Sequence, residues 1–581
     1  MQGYAQLHRQ PHGPTFRLID LVGVDVWDHV GRNLAPLIPY DKLGQKYLSA
    51  EKPAKLISTL LERKWLGNKT KVGFYKEVRA EDGRKEFYSL DLNTLEHVPA
   101  GKPRFDSVKA AKDIEGLGDR LKVMLEAPST DKAAKLVQAL TYQAFQYAST
   151  IIPEVADSAK PIDDATRWGF MHEAGPFETW DMLGVKDTVE RMKAAGYAPA
   201  KWVDAMLENG FESFYQYNRN SPADQGGDKI GVYDVAKQKY VETKHAAGMV
   251  MLRELKSTKK IISENAGASL YDIGDGVALV EFHTKMNALD DDIFNITSEA
   301  LDRVEKDFDG LVIGNEGEHF SAGANLFMVV VAAQQGMWDT LDGAIRKLQN
   351  MNMRMRYFPK PVVVAPAGLA LGGGCEVTMH ASRVVAASET YIGLVELGAG
   401  VIPAGAGTKE FMRRIVNPAM RTDNAEVFPY LQRAFLQIGQ AKVATSAEEA
   451  RGMGILNPQD RIVLNRDHLL TEAKREAVSM AAAGYRPPAP ELIYAAGRDM
   501  YGAMKIGAWS FKEGKYITDY DSHIATKLAF VMAGGELSKA QWVSEQYILD
   551  LEREAFLSLC GEEKTQARMW SLLQTGKPLR N

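Results

Sequence analysis

The sequence predicts a multidomain chain: two all-α units, then an α/β domain with a helical C-terminal extension. Three observations predict it. The chain has 581 residues, a length suited to several domains. A block near its start, Gly13, Pro14, Phe16, Asp20, Gly23 and Val24, recurs as Gly175, Pro176, Phe177, Asp181, Gly184 and Val185. From about residue 270, strand-like runs alternate with helical ones, as in α/β units.

Aligned on Phe, the two blocks share their Phe–Asp–Gly–Val spacing, and the Gly-Pro pair sits one residue closer in the second. Each is followed by an amphipathic stretch (56–61 and 202–207) and an aromatic pair, Phe74-Tyr75 or Phe214-Tyr215. This pattern reads as a duplicated, mostly helical unit. The copies occupy 1–95 and 156–232, the first incomplete at its start. Residues 96–155 read as a connector, with a charged hairpin at 78–90 ahead of it and a helix at 131–147 inside it. Residues 217–231, rich in Asn, Asp and Gly, read as a loop. Residues 233–268 read as a linker whose lysines, Lys256, Lys259 and Lys260, form a solvated run rather than a phosphate site.

The α/β domain is expected over 269–465. Residues 277–282 form a strand candidate, Asp290 caps a helix running to about 308, and 310–314 is the next strand. The organising stretch is 361–396, PVVVAPAGLALGGGCEVTMHASRVVAASETYIGLVE. Its β-branched run, Val362 to Val364, reads as a buried strand. Gly372, Gly373 and Gly374 then turn into a helix opened by Cys375 and Glu376. Such a turn leaves amides without intrahelical partners, suited to an oxygen gaining negative charge; close backbone packing is the competing reading of three glycines. Glu396 supplies a second carboxylate. From about residue 423 the chain is helix-rich, with helical runs over 465–482 and 535–564, and 466–581 is a helical extension that either packs back or makes a subunit contact.

Composition narrows the function. Apolar residues make up 45% and charged residues 25%, with a net charge of −5; this argues against a nucleic-acid or anionic-membrane binder but leaves room for a local basic pocket. The two cysteines, Cys375 and Cys560, cannot build a disulfide framework, and no apolar run reaches the ~18 residues of a membrane helix. A cytoplasmic protein is expected. No HExxH or paired CxxC spacing offers a metal site. His283, His319 and His380 stand apart and read as structural, and Cys375 reads as a buried small residue rather than a nucleophile.

Two resemblances follow from these blocks. LIDLVGVD (18–25) and LGNKTKVGFYK (66–76), with RWGF (167–170) and GPFETWDMLGV (175–185), make both copies resemble the C-terminal helical domain of 3-hydroxyacyl-CoA dehydrogenases. That unit dimerises and closes an acyl-CoA cleft, which implies a homo-oligomer. KMNALD (from Lys285), FSAGANL (from Phe320), GLALGGGCEV (from Gly368) and GLVELGAGVIPAGAGT (from Gly393) make the third segment resemble the enoyl-CoA hydratase/isomerase, or crotonase, superfamily, whose α/β domain is a ββα spiral.

The second resemblance assigns roles. Backbone amides of Ala324 and Gly373 would hold a thioester oxygen, Glu376 would position and activate water, and Glu396 would donate a proton. Lys285, Asn287, Ala288, Ser321 and Ala322 would contact coenzyme A. Hydration of a trans-2-enoyl-CoA in fatty-acid β-oxidation is the leading expectation, with isomerisation, thioester hydrolysis or a non-catalytic scaffold as alternatives. The sequence departs from the family pattern at Asn325, where many relatives carry Asp, at Val395, where Pro is usual, and at Ala404-Gly405-Ala406-Gly407.

No GxGxxG follows an N-terminal strand, so NAD is expected only if a dehydrogenase domain is supplied. The chain therefore reads as the C-terminal part of a fused dehydrogenase–hydratase, or as a homologue without the NAD domain. A separate NAD-binding protein or a thiolase is the candidate partner. No tightly bound cofactor is expected.

Overall fold

The computed structural model describes residues 15–581 apart from 49, 80–84, 102, 113, 115, 129, 171, 218–228, 243–248 and 258–259. Of the sequence-predicted features, Gly13, Pro14 and Lys259 fall outside these residues. The chain divides into two compact units, Met1–His245 and Ala246–Asn581. Among the described residues no helix is long and apolar enough to cross a membrane.

In the first unit the repeated block does the same structural work twice. Gly23, at φ +109°, separates helix Thr15–Val22 from helix Val24–Leu34; Gly184, at φ +85°, separates Pro176–Leu183 from Val185–Ala194. Only glycine takes such angles at low cost. The Asp three residues earlier then reaches an aromatic pair at the start of a strand. Asp20 accepts from the amides of Phe74 and Tyr75, both at 2.8 Å. Asp181 accepts from Phe214 at 2.8 Å and Tyr215 at 3.0 Å. The Phe of each block packs on the first aromatic of its pair: Phe16 on Phe74 at 4.5 Å and Phe177 on Phe214 at 4.8 Å.

The second copy is the more deeply buried. Phe177, Trp180 and Phe214 share a core with Leu125, Tyr142 and Phe145. Asp181 also takes the Tyr217 hydroxyl at 2.9 Å, and burial pushes its carboxyl up to about 7. Removing it by Asp181→Ala strips two buried N–H groups of their acceptor, each of which is costly to leave unmade. A loss of roughly 2–3 kcal/mol is expected, read as a fall in the thermal midpoint larger than that of Asp20→Ala. Equal, negligible shifts would contradict it.

Three sequence boundaries are corrected here. The connector 96–155 is not a spacer. His97–Pro99 pairs with Lys85–Leu90, and helices Leu117–Glu126 and Lys132–Thr150 supply Leu125, Tyr142, Phe145 and Ala148 to the second copy's core. Most of the 217–231 loop, residues 218–228, lies outside the described residues, while its remaining residues and the 233–268 linker contain structure. Lys229–Asp234 and Lys239–Glu242 complete a sheet with Tyr215–Tyr217, and Ile261–Glu264 is the edge strand of the next sheet. Lys239–Glu242 and Ile261–Glu264 are short edge strands of weak periodicity, and Lys229–Asp234, though central in its sheet, is short and carries a glycine, so these segments resemble loops. Lys256 pairs with Glu281 at 3.0 Å.

The second unit is built on a seven-stranded sheet. Val277–Phe282, Gly310–Gly314, Val362–Ala365, Arg383–Ala387 and Arg461–Val463 run parallel in neighbouring order, and Ala268–Asp272 and Ile261–Glu264 extend the sheet antiparallel. The first three of these strands are buried at every position, as expected for a parallel sheet covered on both faces. Asp290 caps helix Asp291–Asp307 through the Ile293 amide at 3.2 Å. A second sheet pairs Gly368–Leu371 with Thr390–Gly393 in parallel.

The boundary at 465/466 is also softer than expected. Helix Leu469–Ala482 packs on the main sheet, and the later helices contribute Ile524, Leu528, Ile548 and Met569 to the same core as Val362 and Val377. The extension packs back on its own unit, because each of its helices presents an apolar face that the sheet layer alone does not cover.

Candidate active site

The small parallel sheet explains how two distant carboxylates meet. Leu371 stands opposite Gly393, and the Gly372 amide donates to the Gly393 carbonyl at 2.9 Å. Parallel strands end on the same side, so the chains leaving both strands emerge together. One turns at Gly372 into helix Gly373–Met379, which carries Glu376; the other reaches the short turn Glu396–Ala399. Gly372 has φ +53° and ψ −121°, and a Cβ there would lie 3.2 Å from Glu396 Oε1. Glycine is thus required twice, by the backbone angle and by the carboxylate beside it.

A second loop is strapped across this turn. Ser321 donates its amide to Leu369 at 3.0 Å and accepts from Leu371 at 2.9 Å. The loop then turns at Gly323, φ +97°, and its carbonyl takes the Leu289 amide at 2.8 Å. A Cβ on Gly323 would sit 3.3 Å from the Gly373 nitrogen, and one on Gly373 would sit 3.7 Å from the Ala324 nitrogen. The two amides therefore lie side by side. Among the described residues neither donates to a protein acceptor. Paired, preorganised N–H groups beside a helix start suit an oxygen that gains charge.

Glu376 is buried and accepts from the Gly407 amide at 2.8 Å. Burial pushes its carboxyl up to about 7, against the pull of the Gly407 and Gly405 amides and of Lys409. Glu396 is pushed well above the ordinary carboxyl range, first by burial and then by the charge of Glu376. Its Oε2 is shielded from solvent and has no hydrogen-bond partner in the protein. Two interacting carboxyls with raised proton affinity form an acid–base pair able to hold one proton between them near neutrality.

Sequence reading missed a further, buried acid beside the pair. Glu552, in helix Glu545–Cys560, is fully buried and accepts from the amides of Ala406 at 3.1 Å and Lys409 at 2.6 Å. The signal was present: Glu552 lies on the same helical face as the buried Ile548, Leu549, Ala555 and Leu559, where an unpaired acid would be costly. His380 is not isolated either. Its Nδ1 bonds the Glu376 carbonyl at 2.6 Å and its Nε2 meets Lys409 Nζ at 3.0 Å, while Lys409 pairs with Glu410 at 2.7 Å and Glu545 at 3.0 Å. Burial and the Lys409 charge hold His380 well below its usual range, so it is neutral.

The residues assigned to coenzyme A divide into two sets. Lys285 is exposed. Asn287 and Ser321 are buried and build the loop: Asn287 Nδ2 donates to the His319 carbonyl at 2.8 Å, and Ser321 Oγ donates to the Asn287 carbonyl at 2.7 Å while accepting from Gly323 at 3.1 Å. Ala322 donates its amide to Met286 at 3.0 Å and Ala288 to Lys285 at 3.3 Å. Met286 and Asn287 both lie at positive φ, 57° and 50°, a strain that persists only where surroundings enforce it.

Asn325 caps helix Leu326–Gln334 through the Met328 amide at 3.3 Å, a task Asp would do equally well. Cys375 is buried and its thiol is pushed well up by burial and by both glutamates, so it is no nucleophile at neutral pH. His283 bonds Ser269 at 2.9 Å and His319 accepts from the Leu369 amide at 3.3 Å. Among the described residues no group of three His, Cys, Asp or Glu is placed to hold a metal.

A largely parallel sheet with a small parallel pair beside it, two side-by-side amides, and the buried Glu376 and half-buried Glu396 around one glycine turn make up an α/β domain of the crotonase class. The enoyl-CoA hydratase/isomerase family model matches residues 272–428. A Bacillus subtilis (strain 168) protein described as "Probable 3-hydroxyacyl-CoA dehydrogenase" is 40% identical over 572 residues, which is 98% of this chain and 69% of that protein. The chain belongs to the family of that protein, with the enoyl-CoA hydratase/isomerase domain in its C-terminal unit. It is also similar to a crotonyl-CoA hydratase of Syntrophomonas wolfei, at 29% identity over 34% of this chain and 69% of that one. A solved enoyl-CoA hydratase structure from Bacillus halodurans aligns with 53% of this chain and 100% of its own, at 16% identity and TM-score 0.37.

Proposed function

We propose that the chain adds water across trans-2-enoyl-CoA thioesters, giving 3-hydroxyacyl-CoA in fatty-acid β-oxidation. The observation that carries this reading is the convergence of Glu376 and Glu396 on the glycine turn that also presents the Gly373 amide beside Ala324. The thioester carbonyl oxygen accepts from the Ala324 and Gly373 amides, which draws electron density from C3. Glu376, as the carboxylate, orients a water and takes its proton as the oxygen bonds C3. The enolate so formed is stabilised by the two amides until Glu396 delivers a proton to C2. Water's hydroxyl and one proton are thus added, and the pair is left with the total proton count it began with.

The pH dependence follows from the raised proton affinities. The base form of Glu376 is lost as pH falls through about 7, and the acid form of Glu396 is lost only well above the usual carboxyl range. A bell-shaped kcat profile is expected, with its acidic limb near neutrality rather than near the ordinary glutamate value. A flat profile down to acid pH would contradict this assignment. The function itself is tested by incubating the protein with crotonyl-CoA and longer 2-enoyl-CoAs and weighing the products. A gain of one water supports the reading; turnover of 3-enoyl-CoA alone would replace it with isomerisation.

The matched Asp20 and Asp181 bonding in the first unit supports reading the two copies as a duplicated dehydrogenase-type helical unit. The name of the 40% identical relative favours a second reading, in which this chain serves a 3-hydroxyacyl-CoA dehydrogenase whose NAD-binding part is supplied separately. The two are compatible, since the product of hydration is the substrate of that oxidation. NADH formation from 3-hydroxybutyryl-CoA and NAD by this chain alone would show that no separate part is needed.

A further inference from the structure

We propose that Glu552 is a positioning residue for the Glu376–Glu396 pair, holding the turn whose amide fixes Glu376; the inference rests on the hydratase reading above. Both Glu552 oxygens bond one turn, Oε2 accepting from Ala406 at 3.1 Å and Oε1 from Lys409 at 2.6 Å. Between these two anchors lies Gly407, whose amide donates to Glu376 Oε1 at 2.8 Å. The turn is not one the local chain prefers. Ala406 sits at φ +85°, where a side chain is strained, so an outside group must hold it.

The turn is also pressed against Glu376. A Cβ at Gly405 would come within 2.4 Å of Glu376 Oε2, and one at Gly407 within 2.8 Å of Oε1. Asn352 Nδ2 holds the Gly405 carbonyl at 2.7 Å, and Gln349 Nε2 holds that of Ala404 at 2.8 Å. Glu552 thus supplies the amide-side anchors of a wall whose carbonyls are held by another helix. It lies outside the stretch matched by the family model, so this device belongs to the C-terminal extension.

Electrostatics add a second link. The groups facing Glu552 are Glu376 and Lys409, and those facing Glu396 are Glu376, Glu552 and the neutral Cys375 thiol; Lys409 is in turn held by Glu410, Glu545 and neutral His380. Burial and the charge of Glu376 push Glu552 itself well above the usual carboxyl range, against the pull of the Lys409 and Ala406 amides, so it ionises only as pH rises, and once negative it makes it harder for Glu396 to lose its proton. Glu552 therefore helps keep Glu396 in its acid form as pH rises.

The test compares Glu552→Gln and Glu552→Asp with the wild type in the full chain, after folding is checked by circular dichroism. Glutamine keeps the size but turns one acceptor into a donor and removes the charge; aspartate keeps the charge with a shorter reach. For E552Q, crotonyl-CoA hydration should show kcat reduced about 10- to 100-fold with KM nearly unchanged, and the alkaline limb moved to lower pH by about one unit. E552D should lose kcat with a smaller displacement of that limb. A folded variant with wild-type kcat and limb overturns the inference, and E552D decides if E552Q does not fold. A wild type without turnover would sink the hydratase reading instead. The infrared titration of the Glu396 carboxyl, assigned with E396Q, then decides: a lower midpoint in the Glu552 variants supports the inference and an unmoved one overturns it.

Discussion

Replacing Glu396 with glutamine is expected to lower kcat for crotonyl-CoA hydration by about 10²–10⁴-fold, with KM changed little. The side chain keeps its length and its place in the turn Glu396–Ala399, but an amide has no acidic proton to give C2. Loss of the acid is felt only after the substrate carbonyl is held, so binding survives. The fold should survive as well. Glu396 Oε2 has no hydrogen-bond partner in the protein, so glutamine breaks no contact there, and removing a carboxyl that burial and Glu376 disfavour costs nothing in stability. Turnover near the wild-type level would show that another group supplies the proton. A rise in KM alone would instead mean that Glu396 serves binding.

The second large effect is expected from Gly323→Ala, which attacks the donors without touching either acid. Gly323 lies at φ +97°, and its added Cβ would meet the Leu371 carbonyl oxygen at 2.9 Å and the Gly373 nitrogen at 3.3 Å. Both are backbone atoms, so nothing flexible can move aside. The loop must shift, and the Ala324 and Gly373 amides must part. Removing one such donor typically costs about 10²–10³ in kcat, and a comparable fall is expected here. The acid–base pair stays in place, so the pH profile of the remaining activity should keep its shape. That split separates the two variants: E396Q removes the origin of the alkaline limb, whereas G323A scales the whole profile down. A displaced profile in G323A would show that the loop also supports the carboxyls.

Much of this site was legible because its demands are local. Gly323 and Gly372 take backbone angles that other residues avoid, and such positions leave a mark in sequence whatever surrounds them. The Val362–Val364 run could be read as a buried strand because all its neighbours in the sheet are equally apolar. Asp290 announced its helix by the same local logic. The repeated block was legible too, since glycine between two helices and an acid one turn earlier recur at fixed spacing.

The errors arose where the deciding contact was distant. Residues 233–268 looked like a linker because their strands are short, polar edges, whose worth lies in the strands they join. His380 looked isolated because Lys409 reaches it from another helix. Glu552 went unseen because the turn it holds lies 146 residues away along the chain.

The sequence by itself determined which residue types stand at the two acids and the two donors, and that a repeated helical block precedes them. These are properties of backbone angle, side-chain charge and spacing, which each short segment carries alone. Only the tertiary structure decided that Glu376 and Glu396 share one field, that their proton affinities rise, and that a helix from the far C-terminus braces the turn beside them. Burial and mutual repulsion depend on what the rest of the chain packs around a group, and no segment holds that information until the others have closed over it.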